Sequence, residues 1–530
     1  MTNKTIGLFL LATTFLSSPA DTIKSEAADL IGNFALSELT GDLPAGAVEV
    51  MIGDKSYYFM PSGENTALLA TLAGTPAGNL KEDANGIFEL NGQKYGFDVA
   101  SIPDSVFEYA ENSVKDYNFI VKEADAEGNL TDKYYKINLK PENFSTSKSI
   151  TWTEVPEAQK DDKDDDLSDG KVSAVIAVNL PNDQTKYFQY TYTKPDNYTV
   201  TNTRINDTLG SANVTNVVFN GISSSEGKGG AIYNTQDNRD VNINADFIGN
   251  SATFVGSAYG GVIYNDDSGI IGNITGNFIG TSSASPYFYG GVIYNDGTIG
   301  NITGDFIRNS AAASSAVSSG GAIDNRGTIG DITGNFIRNS ATSSSMSNGG
   351  AIYNKSTIGD ITGNFIGNTA GKGGAIFNSG TIRNITGDFI GNYISSVQGG
   401  AINNSGATIG NITGDFIRNS ASHGGAIFNS GTIRNITGDF IGNYASGNYA
   451  AGGAINNYDT INITGNFLNN YSRATRTGNV ALGGAVYTAK KMTFAAEEQK
   501  TYFMSGNYTL GRSYNKRYNA IFVETGASGE

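Results

Sequence analysis

Gly320-Gly321-Ala322-Ile323-Asp324-Asn325, followed shortly by Ile332-Thr333-Gly334-Asn335-Phe336-Ile337-Arg338-Asn339, is the stretch that decides how this chain folds. Both blocks recur. Gly-Gly pairs open each period at 229, 260, 290, 320, 349, 373, 399, 424, 452 and 483, at spacings of 24 to 31 residues. The second block returns between them, as in Ile302 to Asn309, Ile385 to Asn392 and Ile436 to Asn443. The distance from the second glycine to the phenylalanine is 15 residues in five of nine copies. The segment from the final Asn to the next Gly-Gly varies freely, from Thr369-Ala370-Gly371-Lys372 to the longer run Ser310 to Ser319. A constant part with one elastic corner is the mark of a solenoid coil.

Within each period the apolar runs are short, rich in β-branched and aromatic residues, and cut by Gly and Asn. No run carries a 3.6-residue period. The expected fold is therefore all-β: a right-handed parallel β-helix of about ten coils over 201–530, roughly 50 Å long at the usual strand spacing. Its columns can be read directly. Ile recurs after the first nine Gly-Gly pairs, and two places on stand Asn234, Asn265, Asn295, Asn325, Asn354, Asn378, Asn404, Asn429 and Asn457. Strand alternation places Ile and Asn inward and the variable residue between them outward. The asparagines are expected to form a structural ladder from coil to coil. The Phe-Ile pair does not fit alternation. If Arg308 faces water, Ile307 faces in and Phe306 out, unless a bend beside the pair buries both. The coil pattern continues weakly at both ends, at Asn213-Val214-Thr215 and at Phe503 to Asn507 with Asn519-Ala520-Ile521-Phe522.

Ahead of the repeats the texture changes. Residues 1–20 read as a secretory signal: Lys4, an apolar run from Ile6 to Leu16, and small residues in Ser18-Pro19-Ala20. Residues 21–200 form a β-rich hairpin module with tyrosine-rich segments such as Lys55 to Phe59, Lys94 to Phe97 and Lys133 to Lys136. An acidic linker is expected at 157–171. Its run Asp161 to Asp166 has Leu167 where a calcium loop needs glycine, so it reads as solvated. The net charge of −16 disfavours nucleic acid and anionic membranes. The absence of cysteine excludes disulfides and thiolate sites, and the single His423 leaves little for a triad.

Gly-Gly-Ala-Ile alternating with Phe-x-x-Asn over about 201–522 resembles the repeat pair of polymorphic outer-membrane proteins and related autotransporter passengers. The resemblance implies surface display through a C-terminal outer-membrane barrel, and adhesion to host protein or glycan. This chain departs from the pattern at its end. No set of alternating strands precedes Glu530, so the barrel is expected in further sequence or in a partner chain.

Three sets of candidate site residues follow. Tyr233, Tyr264 and Tyr294 occupy the outward column in neighbouring coils, where a stacked strip could hold a glycan or a partner protein and where the elastic loop could also cover it. Asp388, Asp415 and Asp439 precede the Phe in three consecutive coils. Carboxylates one coil apart repel, so Arg383, Arg418 or Arg434, or water, is expected to neutralise them, with a weak calcium-type cation stripe as the alternative. No catalytic group is expected and no cofactor beyond that cation. The alternative is a β-helix polysaccharide lyase or hydrolase, which would need a local acid cluster that breaks the repeat.

Overall fold

A computed structural model describes residues 144–494, except 146, 180–184, 207–212, 395–397, 476–480 and 491, together with short segments between 37 and 138 and between 504 and 523. The expected signal at 1–20 lies outside the described residues. The chain divides into two units, the first holding 1–123 and 130–140, the second 124–129 and 141–530. The tyrosine-rich segments early in the chain are hairpin strands. Val48–Ile52 pairs antiparallel with Lys55–Phe59, and Phe88–Leu90 with Gln93–Tyr95.

The second unit opens with a four-stranded sheet in the order Ile150–Val155, Thr185–Thr193, Lys171–Asn179, Lys163–Asp164. Alternate residues Val172, Ala174, Ile176 and Val178 are buried, as are Phe188, Tyr190 and Tyr192 on the paired strand. The acidic run expected as a linker is instead built into this sheet. Lys163–Asp164 pairs with it, and Leu167 is buried at the start of a short 3-10 turn. The aspartates cap backbone amides: Asp164 accepts from Asp166 N, Asp166 from Ser168 N, and Asp169 from Lys171 N. Short polar side chains that bond their own backbone make a folded turn out of what composition alone reads as a solvated spacer.

From Thr199–Thr201 onward every sheet in the coils is parallel, apart from a closing pair, Lys516–Arg517 against Tyr508–Leu510. Successive coils pair like with like: Ile323 with Ile352, Asn325 with Asn354, Phe306 with Phe336. The Ile-x-Asn segments stack into one twelve-stranded sheet, and the Thr-Ile and Phe-Ile segments into a 25-stranded sheet. The fold is a parallel β-solenoid. The weak pattern at the C-terminal end continues it, with Ile521–Val523 on Val486–Thr488 and Asn507 below Asn470.

Four apolar positions per coil fill the core: the Ile of Ile-x-Asn, the two Ile of the Thr-Ile segment, and the Phe. The phenylalanines from Phe219 to Phe467 form one continuous parallel stack with centroids 4.6–5.2 Å apart. Phe306 and Ile307 are both buried, contrary to strict alternation. Phe306 belongs to the main core cluster and Ile307 does not. The bend that allows this is at the next residue. Arg308, Arg338, Arg418 and Asn469 hold φ of 54–56°, and Gly280 and Gly391 hold 67° and 61° at the same corner. A left-handed residue turns the chain sharply, so the following Asn points inward again.

The elastic segment is ordered in the longer coils. Ser257–Tyr259, Tyr287–Tyr289, Val317–Ser319 and Met346–Asn348 stack into a small sheet of their own, whose buried Ala258 and Phe288 cluster with Ala311.

Candidate functional site

Polar columns occupy the corners of the coil. From Asn234 to Asn457 each Nδ2 donates to the Oδ1 of the next asparagine at 2.8–2.9 Å, and the last donates to Thr488 Oγ1. A second ladder, unforeseen as such, runs through the Asn of Phe-Ile-x-Asn. Asn368 Nδ2 donates to Asn392 Oδ1 at 3.0 Å and to the Phe336 carbonyl at 2.8 Å, and its Oδ1 accepts from Asn339 N and Nδ2. Thr281 breaks this second ladder, and its buried hydroxyl has no partner. These columns are scaffold: they satisfy buried donors and acceptors that the corners would otherwise strand.

The aspartate column before the Phe does related work. Asp388 Oδ1 accepts from Asp415 N and Asp415 Oδ1 from Asp439 N, each at 2.8 Å, and Asp439 Oδ1 from Asn466 N at 2.7 Å. The three carboxylates are therefore half-buried amide caps and not the outward stripe expected. Two of the arginines expected to neutralise them have partners elsewhere. Arg383 bonds Asp331 and Asp360 in a different column, and Arg418 lies over the Tyr444 ring. Among the described residues no three His, Cys, Asp or Glu side chains gather as a metal-holding group.

This column makes stability depend on pH. Burial raises the pKa of Asp388 and Asp246, and burial followed by the charges of Asp388 and Asp439 lifts Asp415 from 3.8 to about 6. An acid whose folded pKa is raised stabilises the fold when protonated. That contribution is full below about pH 4 and is lost as pH climbs through about 6. Asp360, held low by Arg383, acts the other way but only below its ordinary value of 3.8. The melting temperature is thus expected to rise as pH falls from 7 to 5. Asp415→Asn should add about 1–3 kcal/mol at pH 7 and flatten the profile, because Asn335, Asn364 and Asn466 already fill the same column. Parallel melts at both pH values check this; a variant with the native slope contradicts it.

The tyrosine column forms a true strip. Tyr233, Tyr264 and Tyr294 lie 5.3 and 5.4 Å apart. Two further tyrosines join it from the small outer sheet. Tyr259 and Tyr289 stack at 5.2 Å and meet the first column edge-on, Tyr259 at 5.9 Å from Tyr264 and 4.9 Å from Tyr294. Cations lie over the rings. Lys228 Nζ is 5.2 and 5.0 Å from the centroids of Tyr233 and Tyr264, and Arg326 is 4.8 and 5.3 Å from those of Tyr289 and Tyr294. Burial raises the hydroxyl pKa of Tyr264, Tyr289 and Tyr294, so these phenols stay protonated and can donate.

The column is less outward than alternation predicts. Tyr294 is only 4% exposed, and Asp324, next in line, is fully buried against Arg326 and Ser319 Oγ. The exposed part of the surface is the rim. Tyr287, on the same side of its strand as Tyr289, is 41% exposed, and Phe254 and Val255 in the turn before Tyr259 are 46% and 90% exposed. Tyr259 and Tyr289 had a signal in the sequence, the hexamer Tyr-Gly-Gly-Val-Ile-Tyr repeated at 259–264 and 289–294. Ring faces, phenol donors and cations on one surface suit a polyhydroxylated ring with an apolar face.

No protein-family model, no curated protein and no solved structure matches this chain.

Proposed function

We propose that this chain is a non-enzymatic, exported β-solenoid, displayed at a bacterial surface or secreted, that binds carbohydrate through the tyrosine strip of its early coils. The observation that carries the reading is the five-tyrosine strip with Lys228 and Arg326 above it and Tyr287 at its rim. The signal-like residues 1–20 and the resemblance of the paired repeat blocks to autotransporter passengers support export. Attachment through an outer-membrane barrel, in further sequence or a partner chain, belongs to the same proposal.

The test is a glycan array probed with the purified chain, followed by titration of the best-retained glycan. Tyr287→Ala and Tyr264→Ala together are expected to weaken binding at least tenfold, in line with about 1–3 kcal/mol for lost ring contacts. The glycan should be recovered intact. Retention of no glycan, or equal binding by the double variant, contradicts the strip; cleavage of the glycan contradicts the non-enzymatic reading and favours a lyase or hydrolase.

A further inference from the structure

The four-stranded antiparallel sheet docks on the side of the first coils. Tyr192 OH donates to Asp246 Oδ2 at 2.8 Å, and Ser145 Oγ to Asp305 Oδ2 at 2.6 Å. Beside these contacts the two surfaces line a partly open cavity of about 600 Å³. Its floor is the left-handed corner that follows each Phe-Ile pair. In the early coils that corner is Gly221, Gly249 and Gly280, and a Cβ on any of them would meet no atom within 4 Å. In the next coil the same corner carries Arg308, held at φ +56°. The cavity is thus left open by glycine, and Arg308 is among its lining residues.

The charges in it do not balance. Lys163 and Asp165 pair with each other. Arg308 has only Tyr190 OH, 3.5 Å from Nη1, and among the described residues no carboxylate lies within ion-pair distance of it. Arg338, one coil on, likewise has no carboxylate partner among the described residues, and burial lowers its pKa, an effect to which Arg308 adds. Two arginines at equivalent corners of successive coils, without carboxylate partners among the described residues, favour an anion at this corner, and a guanidinium matches a carboxylate in a two-pronged bond. The remaining walls are mixed. Val172, Ile248 and Ile279 are apolar, and Ser282 and Ser310 bring hydroxyls. A volume of this size is that of a small-molecule site.

We infer that this cavity binds a small hydroxylated carboxylate, of the class of a uronic-acid sugar. Arg308 grips the carboxylate, the serines meet ring hydroxyls, and the isoleucines cover the apolar ring face. The site is separate from the tyrosine strip and does not depend on it.

The single tryptophan provides a probe, because Trp152 packs 5.5 Å from Tyr190 at the cavity wall. D-glucuronate is titrated into the full chain and followed by Trp fluorescence and by saturation-transfer NMR, with D-glucose as the neutral control. Glucuronate is expected to bind at least tenfold more tightly than glucose. Arg308→Asn should lose that preference while keeping the native circular dichroism, because Asn469 already adopts this corner with φ +55°. Arg308→Lys should retain part of it, and Tyr287→Ala all of it. Glucuronate binding no tighter than glucose by either readout, or undiminished in Arg308→Asn, overturns the inference.

Discussion

Gly321→Ala is expected to break the coil that contains it and to cost more than about 3 kcal/mol. A Cβ at this position would stand 1.9 Å from the Gly350 carbonyl oxygen of the next coil and 2.6 Å from the carbonyl of Ser340. All of these are backbone atoms, so no rotamer relieves the clash, and the coils must separate. Gly406→Ala is the matched control. Its φ is +61° but nothing lies within 4 Å of the added carbon, so only the left-handed strain of about 1–2 kcal/mol applies. Urea denaturation followed by circular dichroism compares the two. Equal losses would mean that the coils are not in close contact at the Gly-Gly corner.

The second large effect is expected inside the second ladder. Asn368→Asp keeps the shape of the side chain but replaces a donor with an acceptor. The new carboxylate would face Asn392 Oδ1 and the Phe336 carbonyl, which now receive Nδ2 at 3.0 and 2.8 Å. A buried charge next to two acceptors should cost about 3–5 kcal/mol at neutral pH, and part of that loss should be recovered in acid as the carboxyl protonates. The reverse experiment is available at the break in the same ladder. Thr281→Asn gives the buried position donors for the Asn309 Oδ1 that its backbone N already meets at 3.1 Å, and should add about 1 kcal/mol. A ladder that is ornamental would show neither change.

The repeat made the coil legible because periodic sequence becomes stacked structure. Once two Gly-Gly blocks are aligned, Ile323 must lie under Ile293 and Asn325 under Asn295, and the register follows. The same logic brought Tyr233, Tyr264 and Tyr294 together. What it could not give was depth. Asp324 and Tyr294 are buried although Tyr233, Tyr264 and Tyr353 in the same column are only half-buried, because the outer strands pack against them. Nor could alternation foresee the corner at Arg308, since a left-handed arginine is held there only by the coils on either side. The aspartates before the Phe looked like an outward charge stripe because sequence shows a side chain and not the amide of the next coil. The docking of Tyr192 on Asp246 and of Ser145 on Asp305 joins a non-repeating segment to a repeating one, and no pattern announces such a contact.

Both ladders and the tyrosine strip rest on one claim, that equivalent residues of successive coils lie one strand spacing apart. Cysteine pairs test it cleanly, because the chain has none of its own. Thr381 and Thr408 are exposed partners in adjacent coils, and Thr413 is exposed on the same strand five residues further along. Stacking puts the first pair about 4.8 Å apart and Thr381 some 17 Å from Thr413. Thr381→Cys with Thr408→Cys should close a disulfide under mild oxidation, and Thr381→Cys with Thr413→Cys should not. The opposite pattern, or equal cross-linking in both, would contradict the register from which the whole account is built.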